Sequence, residues 1–305
     1  MAVQPTMGAG TPDWGAMAER HDSKRKRRRT LIITVCVVGV LAVAGGVGAL
    51  LLSGHSGGTP TAGHSAAPVP GPPSPSGSPS GSTPQPGPSI SGSLPPARGS
   101  IPLALGTGTK VVTMAGTPGQ SLSLPSGQDS FAQSTATVID TSKSFTVSLR
   151  VYCDEQSGNR VAVSQGSGQF YSFWVGRVLS GTNNHWEFKV QTLGGGSTSV
   201  LSRGTAATSQ WATLTAVYDA AQHRIQLYVN GALSGSARIP GIAGFPGGLQ
   251  LGRVRSDSQW SDPWHGDVSA VQVWNQALTA ADAATVAAQP DGPLLKQAAS
   301  AWLSG

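Results

Sequence analysis

Hydrophobic residues recur at every second position through much of the C-terminal part of the chain, the spacing of strands with one buried face. In "SFTVSLRVYC", Phe145, Val147, Leu149, Val151 and Cys153 share one face, and Thr146, Ser148, Arg150 and Tyr152 share the other. "WATLTAVYDAAQHRIQLYVNGAL" continues the pattern: Leu214, Ala216 and Tyr218 precede a turn at "DAAQH", and Ile225, Leu227 and Val229 form the next inward row. Asn230-Gly231 then supplies the two positive-φ residues of a type I′ hairpin. Further strands are expected at Ser121–Leu124, Thr135–Ile139, Val161–Gln165, Phe170–Val175, Trp186–Gln191, Leu249–Arg253 and Val268–Trp274. About ten short strands without helical periodicity between them predict an all-β, antiparallel β-sandwich. One short helix is expected near the end, where Thr279 and Asp282 form a capping-box variant before "AATVAAQ" and Pro290 closes it.

The N-terminal third has a different pattern. Leu31 to Leu52 is an apolar run with no charge and no proline, directly behind six basic residues, Lys24–Arg29. As a helix it would be roughly 33 Å long, enough for a hydrocarbon core of about 30 Å. The basic block then marks the cytoplasmic side, so residues 1–30 are a cytoplasmic tail, 31–52 a single transmembrane helix, and the C-terminal domain is extracellular. A cleaved signal peptide is the competing reading, although the apolar run exceeds the usual h-region of about 7–15 residues. Residues 53–100, with stretches such as "PVPGPPSPSGSPSGSTPQPGPS", are too poor in apolar surface to fold and are expected to be a disordered linker. The sandwich is then assigned to 101–289, leaving 290–305 as a tail whose Leu294, Leu295, Trp302 and Leu303 await a docking surface.

Cutting the chain at the expected span changes the meaning of its charge. Residues 1–30 hold seven basic and three acidic residues; everything after 52 holds 13 basic and 11 acidic. The outer part is nearly neutral, which argues against a nucleic-acid partner. The two cysteines, Cys36 in the span and Cys153 in an inward strand row, fall on opposite sides of the lipid boundary, so no disulfide is expected.

Three segments in order, "VIDTSKSFTVSLRVY", "QWATLTAVYDAAQHRIQLYVNG" and "LQLGRVRSDSQWSDPWHGDVSAVQVWNQALTAADAATV", resemble the LamG-like jelly-roll family of the concanavalin A-like lectin/glucanase superfamily, over roughly residues 120–289. The resemblance implies a jelly roll and, in several relatives, calcium beside a ligand rim. At the two positions where members often carry acidic residues, this chain has Ser269 and Ala270. Glucanase relatives place closely spaced glutamates on one strand, as in E-x-D-x-x-E. This chain has only Glu19, Glu155 and Glu187, and no such motif, so no enzymatic activity is expected.

The loop "VRSDSQWSDPWHGD" offers candidate chemistry. Asp257, Asp262 and Asp267 are hard oxygen donors for calcium, and Trp260, Trp264 and His265 are candidates for a sugar face. The plain alternative is that the aspartates shape turns and one tryptophan caps the core. Asn183 and Asn184 in "LSGTNNHWE" could bond a polar ligand, or simply form a hairpin turn. Together these features predict a membrane-anchored, non-catalytic binding module for glycan or cell-wall carbohydrate. The alternative is a protein scaffold or sensory subunit with an envelope-protein partner.

Overall fold

The computed structural model describes residues 89–114, 119–155 and 157–304. The expected cytoplasmic tail, membrane span and most of the linker lie outside these residues. Among the described residues, no helix is long and apolar enough to cross a membrane.

Two antiparallel sheets face each other. Sheet A runs in the order β1 (Ile90–Leu94), β2 (Leu103–Gly106), β5 (Ala132–Ser134), β14 (Leu249–Leu251), β7 (Arg160–Gln165), β8 (Phe173–Ser180), β9 (Asn183–Gln191) and β10 (Ser197–Thr205). Sheet B runs β13 (Ala232–Arg238), β12 (Arg224–Val229), β11 (Trp211–Asp219), β6 (Phe145–Cys153), β17 (His265–Trp274), β4 (Ser121–Pro125) and β3 (Lys110–Val112), with β18 (Ser300–Trp302) also on β17. A separate hairpin, β15 (Val254–Ser256) and β16 (Gln259–Ser261), completes the strands. This is the predicted antiparallel sandwich. Val147, Leu149, Val151 and Cys153 from sheet B meet Val163, Phe173, Val175 and Phe188 from sheet A in one core.

Local chemistry explains the elements. Asn230 and Gly231 both take positive φ, 50° and 79°, and turn β12 into β13 as the hairpin signal requires. The helix α1 (Ala280–Ala288) starts at Thr279, whose side chain accepts from the Asp282 N–H while the Asp282 carboxylate accepts from the Thr279 N–H. Ala283 buries against Val217 and Tyr228, on the outer side of sheet B.

Three expectations need correction. The strand expected at Thr135–Ile139 is β5, Ala132–Ser134, followed by irregular chain. Ile139 is still buried, but its backbone pairs with a side chain: its N–H donates to Gln165 Oε1 at 2.9 Å and its carbonyl accepts from Gln165 Nε2 at 2.6 Å. The linker boundary at residue 100 also moves, because β1 already pairs with β2 from Ile90 onward. The C-terminal tail is an integral strand. Ser300–Trp302 pairs with Val271–Val273, and Trp302 is fully buried with its indole N–H donating to the Ile101 carbonyl.

Candidate functional site

At one end of sheet B, the end of β6 meets the beginnings of β11 and β17. Ladder partners lie directly opposite and share a face, so the register sets out a row across five strands. Trp211 faces Tyr152, Tyr152 faces Asp267, Asp267 faces Ser123, and Ser123 faces Lys110. Val151 and Val268 on either side of this row point into the core, so the row lies on the outer face.

Gly266 makes this tight pairing of β6 and β17 feasible. A Cβ there would sit 2.0 Å from the Tyr152 carbonyl oxygen, and its φ of +131° disfavours any other residue. The Tyr152 and Trp211 rings are 5.6 Å apart, tilted by 53°, and both are half-buried. The Arg150 guanidinium lies 5.2 Å from the Trp211 ring centre, close enough for a cation–π contact. His265 pairs through Nδ1 with Asp154, their side chains 35% and 43% exposed. Asp267 is 8% exposed. Burial pushes its carboxyl above the usual range, the Ser123 hydroxyl opposes this, and the charge of Asp154 adds to it. The result is an aromatic platform, a half-buried pair on the outer face with a guanidinium, an imidazole and carboxyl groups nearby, an arrangement that suits a ligand offering a C–H face and hydroxyl edges.

The sequence-predicted residues divide sharply. His265 and Asp267 belong to this platform. Trp264 does not: it is 0% exposed and stacks on Trp186 with centroids 6.5 Å apart, as a core cap. Its ring therefore offers no face to a sugar. Trp260 lies on the β15–β16 hairpin, its ring 3.8 Å from the Arg253 guanidinium, which also sits 3.3 Å from the Phe131 ring. Asp257 and Ser258 take φ of 50° and 63° and form the tip of that hairpin, and Asp262 also takes a positive φ, 51°. Among the described residues, no three His, Cys, Asp or Glu side chains are grouped to hold a metal ion. Asp257, Asp262 and Asp267, expected as calcium ligands, are not brought together as such a group. Asn183 and Asn184 open β9 rather than forming the turn, which is Gly181-Thr182, and the Asn184 carbonyl accepts from the Ala206 N–H.

Trp211, Tyr152 and Arg150 were missed as site residues. The signal was available, since the alternation places Tyr152 and Arg150 on the outward row of their strand and an aromatic residue on such a row is unusual.

No curated protein sequence matches the chain. Similar solved structures include a heptameric SAP-like pentraxin from Limulus polyphemus, at 20% identity and TM-score 0.46, covering 55% of this chain and 81% of that one. Domain 4 of AbnA, an extracellular arabinanase from Geobacillus stearothermophilus in complex with arabinotriose, has 19% identity and TM-score 0.46, covering 62% and 88%. The botulinum neurotoxin serotype G binding domain has 10% identity and TM-score 0.49, covering 64% of this chain but only 48% of its own length. Residues 126–284, more than half of the chain, match the Laminin_G_3 family, and the protein belongs to that family of the concanavalin A-like lectin/glucanases superfamily.

Proposed function

We propose that the domain is a non-catalytic glycan-binding module that takes its ligand on the sheet-B platform. The observation that carries this reading is the half-open Tyr152–Trp211 pair with Arg150, His265 and Asp267 around it. Rigid rings supply apolar area at low entropic cost, and the charged groups bond hydroxyls at the ring edge. In the same proposal the apolar run 31–52 anchors the chain in the cell membrane, and the Pro/Ser/Gly segment holds the domain away from it on the extracellular side.

A hydrolytic reading has one specific observation behind it. Asp267, with its raised pKa, feels the charge of Asp154, and an acid beside an ionised carboxylate is the pairing glycosidases use. Asp154 is already engaged by His265 and Asp267 by Ser123, so binding is favoured.

The test is affinity electrophoresis of the full-length chain through gels carrying cell-wall polysaccharides, with reducing-sugar release measured in parallel. Retardation that Trp211→Ala reduces at least tenfold, unchanged by chelator and without sugar release, supports the proposal. Sugar release abolished by Asp267→Asn would establish the hydrolytic reading instead. Absence of retardation on every polysaccharide, with an envelope protein captured through Trp211, would favour the scaffold alternative.

A further inference from the structure

On the inner side of the same end, Arg160 and Arg177 are direct partners across β7 and β8, so their side chains leave the same face. The next residue in that row, Trp186, packs in the core, which makes the face the inward one. Like charges directly opposite destabilise a sheet, and a buried charge without a counter-ion is worse. Arg177 is 2% exposed, and among the described residues it has no carboxylate at ion-pair distance. Its Nη1 donates to the Glu155 carbonyl and lies 3.9 Å from Cys153 Sγ. Burial pushes the Cys153 thiol up, so it stays neutral and supplies no counter-charge. Arg160 has the Glu155 carboxylate 4.0 Å from Nη2. The Glu155 carboxylate thus pairs with Arg160 alone, and Arg177 meets only its backbone carbonyl.

Among the described residues, the buried Nε–H groups of Arg160 and Arg177 have no acceptor, nor has the Nε1–H of Trp264, which stacks on Trp186. All three are donors. A water molecule there would bring two protons of its own in need of acceptors, whereas an anion only accepts and also neutralises the surplus charge. We propose that a small monovalent anion binds between Arg160 and Arg177: a halide or a carboxylate group, either a free ion or the acid group of a bound sugar.

The experiment melts the full-length chain at constant ionic strength in sodium chloride, acetate or glucuronate, against the bulky anion of sodium MES, with glucose as the neutral control. Chloride or acetate should raise the melting temperature by roughly 5 °C or more at a hundred times the dissociation constant. Arg160→Gln should remove most of that rise, because it takes away the charge and the Nε donor of the less buried of the two arginines. A glucuronate shift without a glucose shift would identify the acid group of a sugar as the source, and its absence beside a chloride shift a free ion. Should Arg160→Gln fail to fold, crystals soaked in sodium bromide should show an anomalous peak between the two guanidiniums. Equal melting in all salts, or water density without anomalous signal, would overturn the proposal. The only neutral sugar in these measurements is the glucose control, and no polysaccharide enters them, so failure with the anions leaves the platform reading untouched.

Discussion

Trp264→Ala separates the core from the binding face. The Trp264 side chain is fully buried, and a tryptophan removes up to about 250 Å² from water. At about 25 cal/mol per Å² that burial contributes at most ~6 kcal/mol, an upper bound because the unfolded chain is not fully extended. Its indole N–H is buried without an acceptor among the described residues, which returns about 1–3 kcal/mol of desolvation cost. The expected loss for Trp264→Ala is therefore about 3–5 kcal/mol, the usual range for emptying a large aromatic site. Trp264→Phe should lose less, because it also removes the orphan donor. Trp211, half-buried on the outer face, should cost under ~1.5 kcal/mol on truncation while removing glycan binding. Urea unfolding followed by circular dichroism measures all three variants. The reasoning is refuted if Trp264→Ala stays within ~1 kcal/mol of the parent protein and loses binding alone.

Three further outcomes follow from particular residues. Burial raises the Glu187 carboxyl, so the folded protein keeps this proton more tightly than the unfolded chain does and stability through this group falls as pH rises past the ordinary glutamate value of about 4.3. Glu187→Gln should accordingly raise the melting temperature at neutral pH, with the difference closing below about pH 4 in a pH series; a constant difference would contradict this. Ala270 holds φ +47° at the irregularity of β17 between Ser269 and Gln272, and Ala270→Gly should stabilise by about 0.5–1 kcal/mol in the same urea assay, strain relief outweighing lost chain entropy. Gln165→Leu leaves the buried Ile139 N–H and carbonyl without partners and should cost about 2–4 kcal/mol, with early hydrogen exchange at Ile139.

Sheet B was legible because its central strands are apolar on one face and carry Thr, Ser, Arg and Tyr on the other, so period two is plain in 145–153 and 211–218. Sheet A was harder. Val161, Tyr171 and Trp174 on its outer side are covered by Val254 of the β15–β16 hairpin, so β7 and β8 are apolar on both faces and alternation fades. The Gln165 side chain that stands in for a strand partner of Ile139, and the return of 300–302 to β17, depend on contacts between distant parts of the chain that no local window holds. The site was half legible for a similar reason. His265 and Asp267 follow Trp264 in one loop-to-strand passage, yet the first two face outward and the tryptophan turns into the core. Which of eight tryptophans stays open is decided by register, and Trp211 is marked only by its place opposite Tyr152.

The most direct test is nuclear magnetic resonance mapping of the folded domain within the full-length chain, titrated with the polysaccharide fragment that retards it most in gels. Shift changes concentrated at the Trp211 indole, the His265 ring and the Arg150 guanidinium, with Trp260 and Trp264 still, are the predicted result. Changes centred on Trp260 and Arg255 of the hairpin, with sheet B unmoved, would contradict it.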